Sequence, residues 1–133
     1  MTDSPSAGRR ILVVDDSSDA RTSLRVLLEL WGHDVREAAD GRTALDVARA
    51  FRPEVVLLDL GMPLLDGYQV ARRLRKTPGL EGTVLIAATA YSQPLDVVST
   101  REAGFDHHLG KPFDLDLLQR LIGGPAEPAG RPA

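Results

Sequence analysis

Five polar residues with the chemistry to bind a metal ion and a phosphate each follow a short run that could form a β-strand. Asp15 and Asp16 follow ILVV, Asp59 follows EVVLL, Thr89 follows TVLIAA, and Lys111 follows the shorter segment HHLG. Carboxylates packed together repel one another unless a proton or a cation lies between them. Because the acids offer only oxygen ligands, the expected cation is hard, Mg²⁺ or Mn²⁺.

A hydroxyl and an ammonium group complete this set of side chains. The hydroxyl of Thr89 and the ammonium of Lys111 can bind the remaining oxygens of a tetrahedral anion. A metal, a lysine, a hydroxyl and a nucleophilic carboxylate together suit phosphoryl transfer, where catalysis depends on positioning and charge neutralisation. Asp59 is central in the set and is therefore the candidate for the attacked carboxylate.

Alternating apolar runs and amphipathic segments predict the elements that must bring these residues together. Strands are expected at Arg10–Asp15, Asp34–Ala38, Glu54–Leu58, Thr83–Ala88 and Asp106–Leu109. Helices are expected at Asp19–Trp31, Gly41–Phe51, Gly67–Lys76 and Leu95–Ala103, with a last helix capped by Asp114. Five βα units with short loops predict a parallel sheet with helices on both faces and right-handed crossovers.

The fold class expected from this pattern is α/β, a flavodoxin-like (βα)5 doubly wound sheet with strand order 2-1-3-4-5. In open parallel sheets, functional sites lie outside the carboxyl ends of the strands. In this order the first, third, fourth and fifth strands are contiguous, so their polar ends form a row spaced by about 4.8 Å. The second strand ends in Glu37-Ala38-Ala39, a poorer site, and the same order places it at the edge.

Length, charge and composition restrict the remaining possibilities. The 133 residues suffice for one domain, expected over residues 9–122 between disordered ends at 1–8 and 123–133. The net charge of −3 gives no global basic field for nucleic acid or an anionic membrane. The chain has no cysteine, which excludes disulfides and thiol catalysis. With no apolar stretch long enough for a bilayer and no signal peptide, a cytoplasmic protein is expected.

The segments ILVVDDSSDAR, VVLLDLGMPLLDGYQV, VLIAATAY and HHLGKPFDLDLL together resemble the receiver domain of two-component response regulators. The resemblance implies that Asp59 accepts a phosphoryl group from a phosphohistidine of a sensor histidine kinase or histidine phosphotransfer protein. It implies that Asp16 and Asp59 ligate Mg²⁺ directly, together with the backbone carbonyl of Gly61, and that Asp15 helps through a water. It also implies self-phosphorylation and autodephosphorylation chemistry in a signalling domain, not an enzyme with its own substrate.

The same resemblance assigns roles around the phosphoryl group. Thr89 and Lys111 would bind its oxygens, and the peptide bond between Lys111 and Pro112 would be cis. His108 stands three residues before the lysine, where the family usually has Tyr or Phe. This departure predicts a weaker switch, or one that depends on an imidazole hydrogen bond and on pH. Tyr91, two residues after Thr89, is expected to shield the acyl phosphate partly from water.

The expected output is contact with another protein, because the chain shows no DNA-binding domain. We expect a stand-alone regulator whose fourth helix, fifth strand and last helix bind a downstream protein or form a homodimer, with no nucleic-acid or membrane partner. For the leucine-rich last helix, simple burial is the competing explanation. Basic residues at the end of the third helix are expected to be solvated: Arg72, Arg73, Arg75 and Lys76.

Three other classes of protein fit these residues less well. A phosphohydrolase with an aspartyl nucleophile places Asp-x-Asp on its first strand, which Asp15-Asp16-Ser17 does not match. A flavodoxin-like cofactor binder needs a phosphate loop without the three acids found here, since they would repel phosphate. A phosphate-independent interaction module would not need the complete set of acids, threonine and lysine.

Overall fold

Five β-strands alternate with five α-helices in the computed structural model, which describes residues 8–61, 67–90 and 97–123. The strands are β1 (Arg10–Val14), β2 (Asp34–Ala38), β3 (Val55–Asp59), β4 (Val84–Ala90) and β5 (His107–Lys111). The helices are α1 (Ser18–Leu30), α2 (Gly41–Phe51), α3 (Gly67–Lys76), α4 (Val97–Ala103) and α5 (Leu115–Ile122). Every predicted element is present in the predicted order.

The strands form one parallel sheet in the order β2-β1-β3-β4-β5, which confirms the predicted fold class. Side chains alternate between the two faces of the sheet, so each face has its own core. One core packs strand residues such as Leu12 and Val56 against α2 and α3. The other packs residues such as Ile11 and Leu57 against α1 and α5.

Side-chain caps fix where the helices begin. The Ser17 hydroxyl accepts a hydrogen bond from the Ala20 N–H at 3.2 Å at the start of α1. Asp40 accepts from the Thr43 N–H at 2.8 Å at the start of α2, and Asp114 caps α5. These caps satisfy N–H groups that have no partner within the helix. They set the point at which the chain turns from a strand end into a helix, beside the predicted site.

Three strands extend further towards their carboxyl ends than hydropathy predicts. β3 includes Asp59, β4 includes Thr89, and β5 includes Lys111. Sheet hydrogen bonds are made by the backbone, so a polar side chain at the end of a strand does not interrupt the ladder. Three of the residues expected to follow the strands are therefore held by the sheet itself.

The expectation of a solvated basic helix end was wrong for Arg75. Its guanidinium donates to the carbonyl of Gly104 from both Nε (2.9 Å) and Nη2 (2.7 Å), to the carbonyls of Glu81 and Thr83, and to the carboxylate of Asp106. One side chain of α3 thus ties together the segments that precede β4 and β5. Arg72, Arg73 and Lys76 are exposed as expected.

None of the helices in the described ranges is long and apolar enough to cross a membrane. The expected disorder of the chain ends concerns residues that lie almost wholly outside those ranges.

Candidate functional site

The register of the sheet places three of the predicted residues on one face. Asp59 is the last residue of β3 and pairs with Ala88, which in turn pairs with Leu109 of β5. Lys111 lies two residues beyond Leu109 and so projects from the same face as Asp59. Asp15 directly follows β1, level with Asp59 across the β1–β3 ladder. Asp15 and Lys111, which are 96 positions apart in the chain, therefore meet at the carboxyl ends of the strands.

The Lys111 ammonium lies between two carboxylates. Its Nζ donates to Asp15 Oδ2 at 3.0 Å and lies 3.5 Å from Asp59 Oδ2. Backbone N–H groups hold the other oxygens, since Ser17 donates to Asp15 Oδ1 and Gly61 to Asp59 Oδ1, each at 2.9 Å. Both carboxylates are therefore fixed in orientation before any ligand arrives.

The three acids fit a divalent cation. Asp15, Asp16 and Asp59 each offer one oxygen, and these atoms lie within 4.8 Å of one another. Oxygens bound to one Mg²⁺ at about 2.1 Å lie at most about 4.2 Å apart, so small side-chain movements bring this set to a single ion. Asp15 is buried and Asp16 is exposed, which leaves an open side towards solvent. The carbonyl of Gly61 as a further ligand stays a prediction.

The electrostatics of the site differ from those of surface residues. Burial raises the pKa of Asp59, although the Gly61 N–H and the Lys111 cation act in the opposite direction. Burial alone would lower the pKa of Lys111, but its hydrogen bond to Asp15 and its attraction to Asp59 outweigh that effect and raise it. Lys111 is thus held as a cation next to a carboxylate that has lost part of its hydration.

Thr89 and His108 lie on the other face of the sheet. Thr89 is buried and pairs with Gly110, while Ala87, two residues earlier, pairs with His108. Gly110 has no side chain opposite the threonine, so the next side chain on this face of β5 is the exposed imidazole of His108. The structure therefore makes the two residues diagonal neighbours. Tyr91 lies outside the described residues.

The Lys111–Pro112 peptide bond is cis. Beside it, an apolar recess with a volume of about 410 Å³ opens next to the acids, on the face covered by α1. Its walls combine apolar side chains of α1, β3 and the segment after β5 with the polar residues of the site: Ala20, Leu24, Leu57 and Phe113, beside Asp59 and Lys111.

Arg21 is a residue of the site that the sequence did not reveal. Its Nη1 donates to the backbone carbonyl of Asp15 at 2.9 Å, and its Nε donates to the carboxylate of Glu37 at 3.1 Å. Arg25 also pairs with Glu37, so α1 is tied to the end of β2 directly behind the acids. The sequence signals for this network were Glu37 and the spacing of Arg21 and Arg25, which are one helical turn apart.

Three acids, a lysine and a threonine thus lie at the carboxyl ends of the strands of an α/β sheet, as the receiver-domain resemblance predicts. Residues 11–123 match the family described as the response regulator receiver domain. The chain belongs to this family, and its role in two-component signalling follows.

Curated relatives of this chain match it over 113 residues. The response regulator MprA of Mycolicibacterium vanbaalenii is 44% identical over 113 residues, which cover 84% of this chain and 48% of that protein. The probable transcriptional regulator ycf27 of Porphyridium aerugineum is 41% identical, covering 85% of this chain and 46% of that protein. The chain therefore spans about half the length of these relatives.

Solved structures agree with the fold. The chemotaxis response regulator CheY4 of Vibrio cholerae superposes with a TM-score of 0.77 at 31% identity, covering 85% of this chain and 98% of that one. The receiver domain of a sensor histidine kinase from Pseudomonas aeruginosa also gives 0.77, at 34% identity, covering 87% of this chain and 95% of that one. That structure has a magnesium ion coordinated in its active-site cleft.

Proposed function

We propose that this receiver domain accepts a phosphoryl group on Asp59 from a phosphohistidine of a sensor histidine kinase or histidine phosphotransfer protein. The observation that carries the proposal is the position of Lys111 Nζ, 3.0 Å from Asp15 and 3.5 Å from Asp59, beside three acids able to share one cation. This arrangement provides a nucleophile, a place for a metal and a fixed cation for the transferred group.

In the proposed transfer, a carboxylate oxygen of Asp59 attacks the phosphorus. A new O–P bond forms, the P–N bond breaks, and its electron pair stays on the imidazole nitrogen of the donor. The Lys111 ammonium then pairs with an oxygen of the phosphoryl group. Water later cleaves the O–P bond, which releases inorganic phosphate and restores the carboxylate. The protein would thus be a phosphoacceptor with its own slow chemistry and not an enzyme acting on a separate substrate.

A magnesium or manganese ion, when bound, would neutralise charge on the phosphoryl oxygens. Asp16 and Asp59 would hold it directly, Gly61 through its carbonyl, and Asp15 through a water. Asp15 is buried and Asp16 is exposed, so the open side of the site favours direct contact of the ion with Asp16 and contact through a water with Asp15.

The apolar recess beside Asp59 supports a protein as the phosphoryl donor. A small acyl phosphate needs only the polar site, whereas Leu24 and Phe113 offer apolar contact area on the same side as the acceptor oxygen. A helical donor with apolar residues next to its phosphohistidine would bury them here. The expected absence of nucleic-acid and membrane partners and the cytoplasmic location stay predictions.

Output through α4, β5 and α5 is the second half of the proposal. Thr89 would move towards the phosphoryl group, and the adjacent His108 would transmit that movement to the surface. Among the described side chains of these elements, Val98 of α4 is 65% exposed and Leu115 of α5 is 48% exposed. They support a binding surface for a downstream protein or a second copy of the chain.

Intact mass spectrometry tests the acceptor directly. The protein is incubated with Mg²⁺ and a small acyl phosphate, and we expect a gain of one phosphoryl group that hydroxylamine removes. Asp59→Asn should show no gain. Asp34→Asn is the matched control, because it makes the same change at the start of β2, at the opposite end of the sheet. Equal phosphorylation of Asp59→Asn and the control would overturn the proposal.

A further inference from the structure

A groove between α2 and α3 takes no part in the proposed chemistry at Asp59. It encloses about 500 Å³ on the face of the sheet opposite to α1 and α5. Three arginines line it, Arg42 and Arg49 from α2 and Arg73 from α3. Leu45 and Val70, both almost fully buried, form part of its lining. The groove therefore combines an apolar base with cationic walls.

Helical spacing aligns these groups. Arg42, Leu45, Asp46 and Arg49 are separated by three, four and seven positions, so they lie along one side of α2 over about 10 Å. Arg73 faces them from α3 across the groove. The three guanidiniums are thus distributed along and across a short channel.

Among the residues that the structure describes, Asp46 and Asp40 are the carboxylates that interact with these arginines, and neither neutralises the groove. Asp46 pairs with Arg49 at 3.3 Å, but both side chains are more than half exposed (67% and 60%). Exposed pairs of this kind contribute little and rearrange easily. Asp40 attracts Arg42, yet it already accepts the Thr43 N–H as the cap of α2. Among the groove-lining residues, positive charge exceeds negative charge, although the whole chain carries −3.

We propose that the α2–α3 groove binds an acidic segment of a partner protein. Carboxylates of that segment would pair with the guanidiniums, and an apolar side chain between them would rest on Leu45 and Val70. Guanidinium groups bind carboxylates through two parallel hydrogen bonds, which suits this arrangement. The surface is separate from Asp59 and from the surface formed by α4, β5 and α5.

Other anionic ligands fit less well. A nucleic-acid backbone needs a continuous cationic track, and Asp46 interrupts the row between Arg42 and Arg49. A nucleotide base needs an aromatic side chain or a similar platform to stack on, and none of the described residues that line the groove is aromatic. Leu45 and Val70 make the base of the groove apolar, although both are already almost fully buried, and an apolar base favours a peptide over a free nucleotide or phosphate.

Fluorescence anisotropy tests this proposal with the whole chain and a labelled synthetic peptide of the repeating sequence Glu-Glu-Leu-Leu. The same peptide with Gln in place of Glu is the ligand control. Arg73→Glu reverses one charge of the groove, and Arg49→Gln, made separately, removes one. Arg72→Glu is the matched protein control, because it makes the same charge change on the neighbouring, exposed residue of α3, which does not line the groove.

We expect Arg73→Glu to weaken binding of the Glu peptide about tenfold, which corresponds to about 1.4 kcal/mol. Arg49→Gln should weaken it less, and Arg72→Glu should change it little. Thermal unfolding verifies that each variant is folded, and phosphorylation of Asp59 should be unchanged in all three. Equal weakening by Arg72→Glu and Arg73→Glu, no binding of the Glu peptide, or tighter binding of single-stranded DNA or of a nucleotide would each overturn the proposal.

Discussion

Lys111 has a double role at the scale of single residues. Without a metal, its ammonium is the cation that separates Asp15 from Asp59, at 3.0 and 3.5 Å. A divalent cation would approach from the open side, where Asp16 is exposed. The protein therefore contains part of the charge neutralisation that phosphoryl transfer requires before Mg²⁺ arrives.

Lys111→Gln should make the stability of the protein more dependent on Mg²⁺. Loss of the ammonium leaves neighbouring carboxylates without a counter-charge, and we expect a loss of about 1–3 kcal/mol of unfolding free energy in metal-free buffer. Mg²⁺ should restore much of it, because the ion binds only the folded state. Thermal unfolding with and without MgCl₂ measures the effect.

Lys76→Gln is the control for this prediction, since it removes the same charge from an exposed position at the end of α3. An equal Mg²⁺ response in the wild type, Lys76→Gln and Lys111→Gln would contradict the prediction.

His33 should make the domain less stable in mild acid. Its Nδ1 accepts the Arg9 N–H at 3.0 Å, so the imidazole must be neutral on that nitrogen. Burial lowers the pKa of His33 and the Arg9 charge lowers it further, with Glu54 opposing both. The unfolded chain therefore binds this proton more readily, and stability falls as the pH drops from the ordinary histidine value near 6.5 through the lower pKa of the folded state.

Urea unfolding between pH 7.5 and 5.5 measures this effect. His33→Asn is the comparison, because an amide oxygen can accept the Arg9 N–H but does not titrate. The wild type should lose more stability over this interval than His33→Asn. A parallel loss in both proteins would show that other groups cause the pH dependence.

At the scale of the elements, hydropathy patterns predicted β2, α2 and α3 with the bounds found in the structure. These segments have regular apolar spacing between clear breaks, so their ends are marked in the sequence. The ends of β3 and β5 were missed, because Asp59 and Lys111 are polar residues inside backbone ladders. The sequence pattern therefore indicated which residues form the site but not that the sheet itself holds them.

Arg75 should be a major contributor to stability despite its position in a basic helix end. Arg75→Ala removes hydrogen bonds to three carbonyl groups and the pair with Asp106, whose side chain also accepts the Leu85 N–H at 2.9 Å. We expect a loss of about 3 kcal/mol in urea unfolding. Arg75→Lys should recover only a small part, because one ammonium cannot reach all of these acceptors.

Arg72→Ala on the same helix is the control, and its effect should be within about 0.5 kcal/mol of the wild type. Similar losses for Arg72→Ala and Arg75→Ala would rule out the special role of Arg75. No spacing rule could have identified this residue, since its partners lie up to 31 positions away in the chain.

At the scale of the whole molecule, the order of the strands made the site predictable. Once β1, β3, β4 and β5 are neighbours, their carboxyl ends form one row. That row must contain Asp15, Asp59, Thr89 and Lys111. The networks behind the site could not be predicted in the same way. The bonds of Arg21 to Asp15 and Glu37 depend on the rotation of α1 against the sheet, which periodicity fixes only coarsely.

The fluorescence of Trp31 should respond little when Mg²⁺ binds to the acids. Trp31 caps the carboxyl end of α1, whereas Asp15 and Asp16 precede the other end of this 13-residue helix, a distance of about 20 Å at 1.5 Å per residue. Its ring packs against the core shared by α1 and α5. We expect tryptophan emission to change by less than about 10% on titration with Mg²⁺, because the ring and the acids lie a helix length apart.

A rise in the unfolding temperature over the same titration would verify that the ion has bound. A large Mg²⁺-dependent quench in this titration would mean that the two ends of α1 are coupled.

The contact between Arg9 and Gly123 has a practical consequence. Arg9 Nε donates to the Gly123 carbonyl at 2.7 Å, so the residue before β1 and the residue after α5 are side by side. Both lie near the amino ends of the strands, at the opposite end of the sheet from the acids. A short Gly/Ser bridge between these two positions would therefore close the polypeptide into a ring, and cutting it elsewhere would give circular permutants for building biosensors.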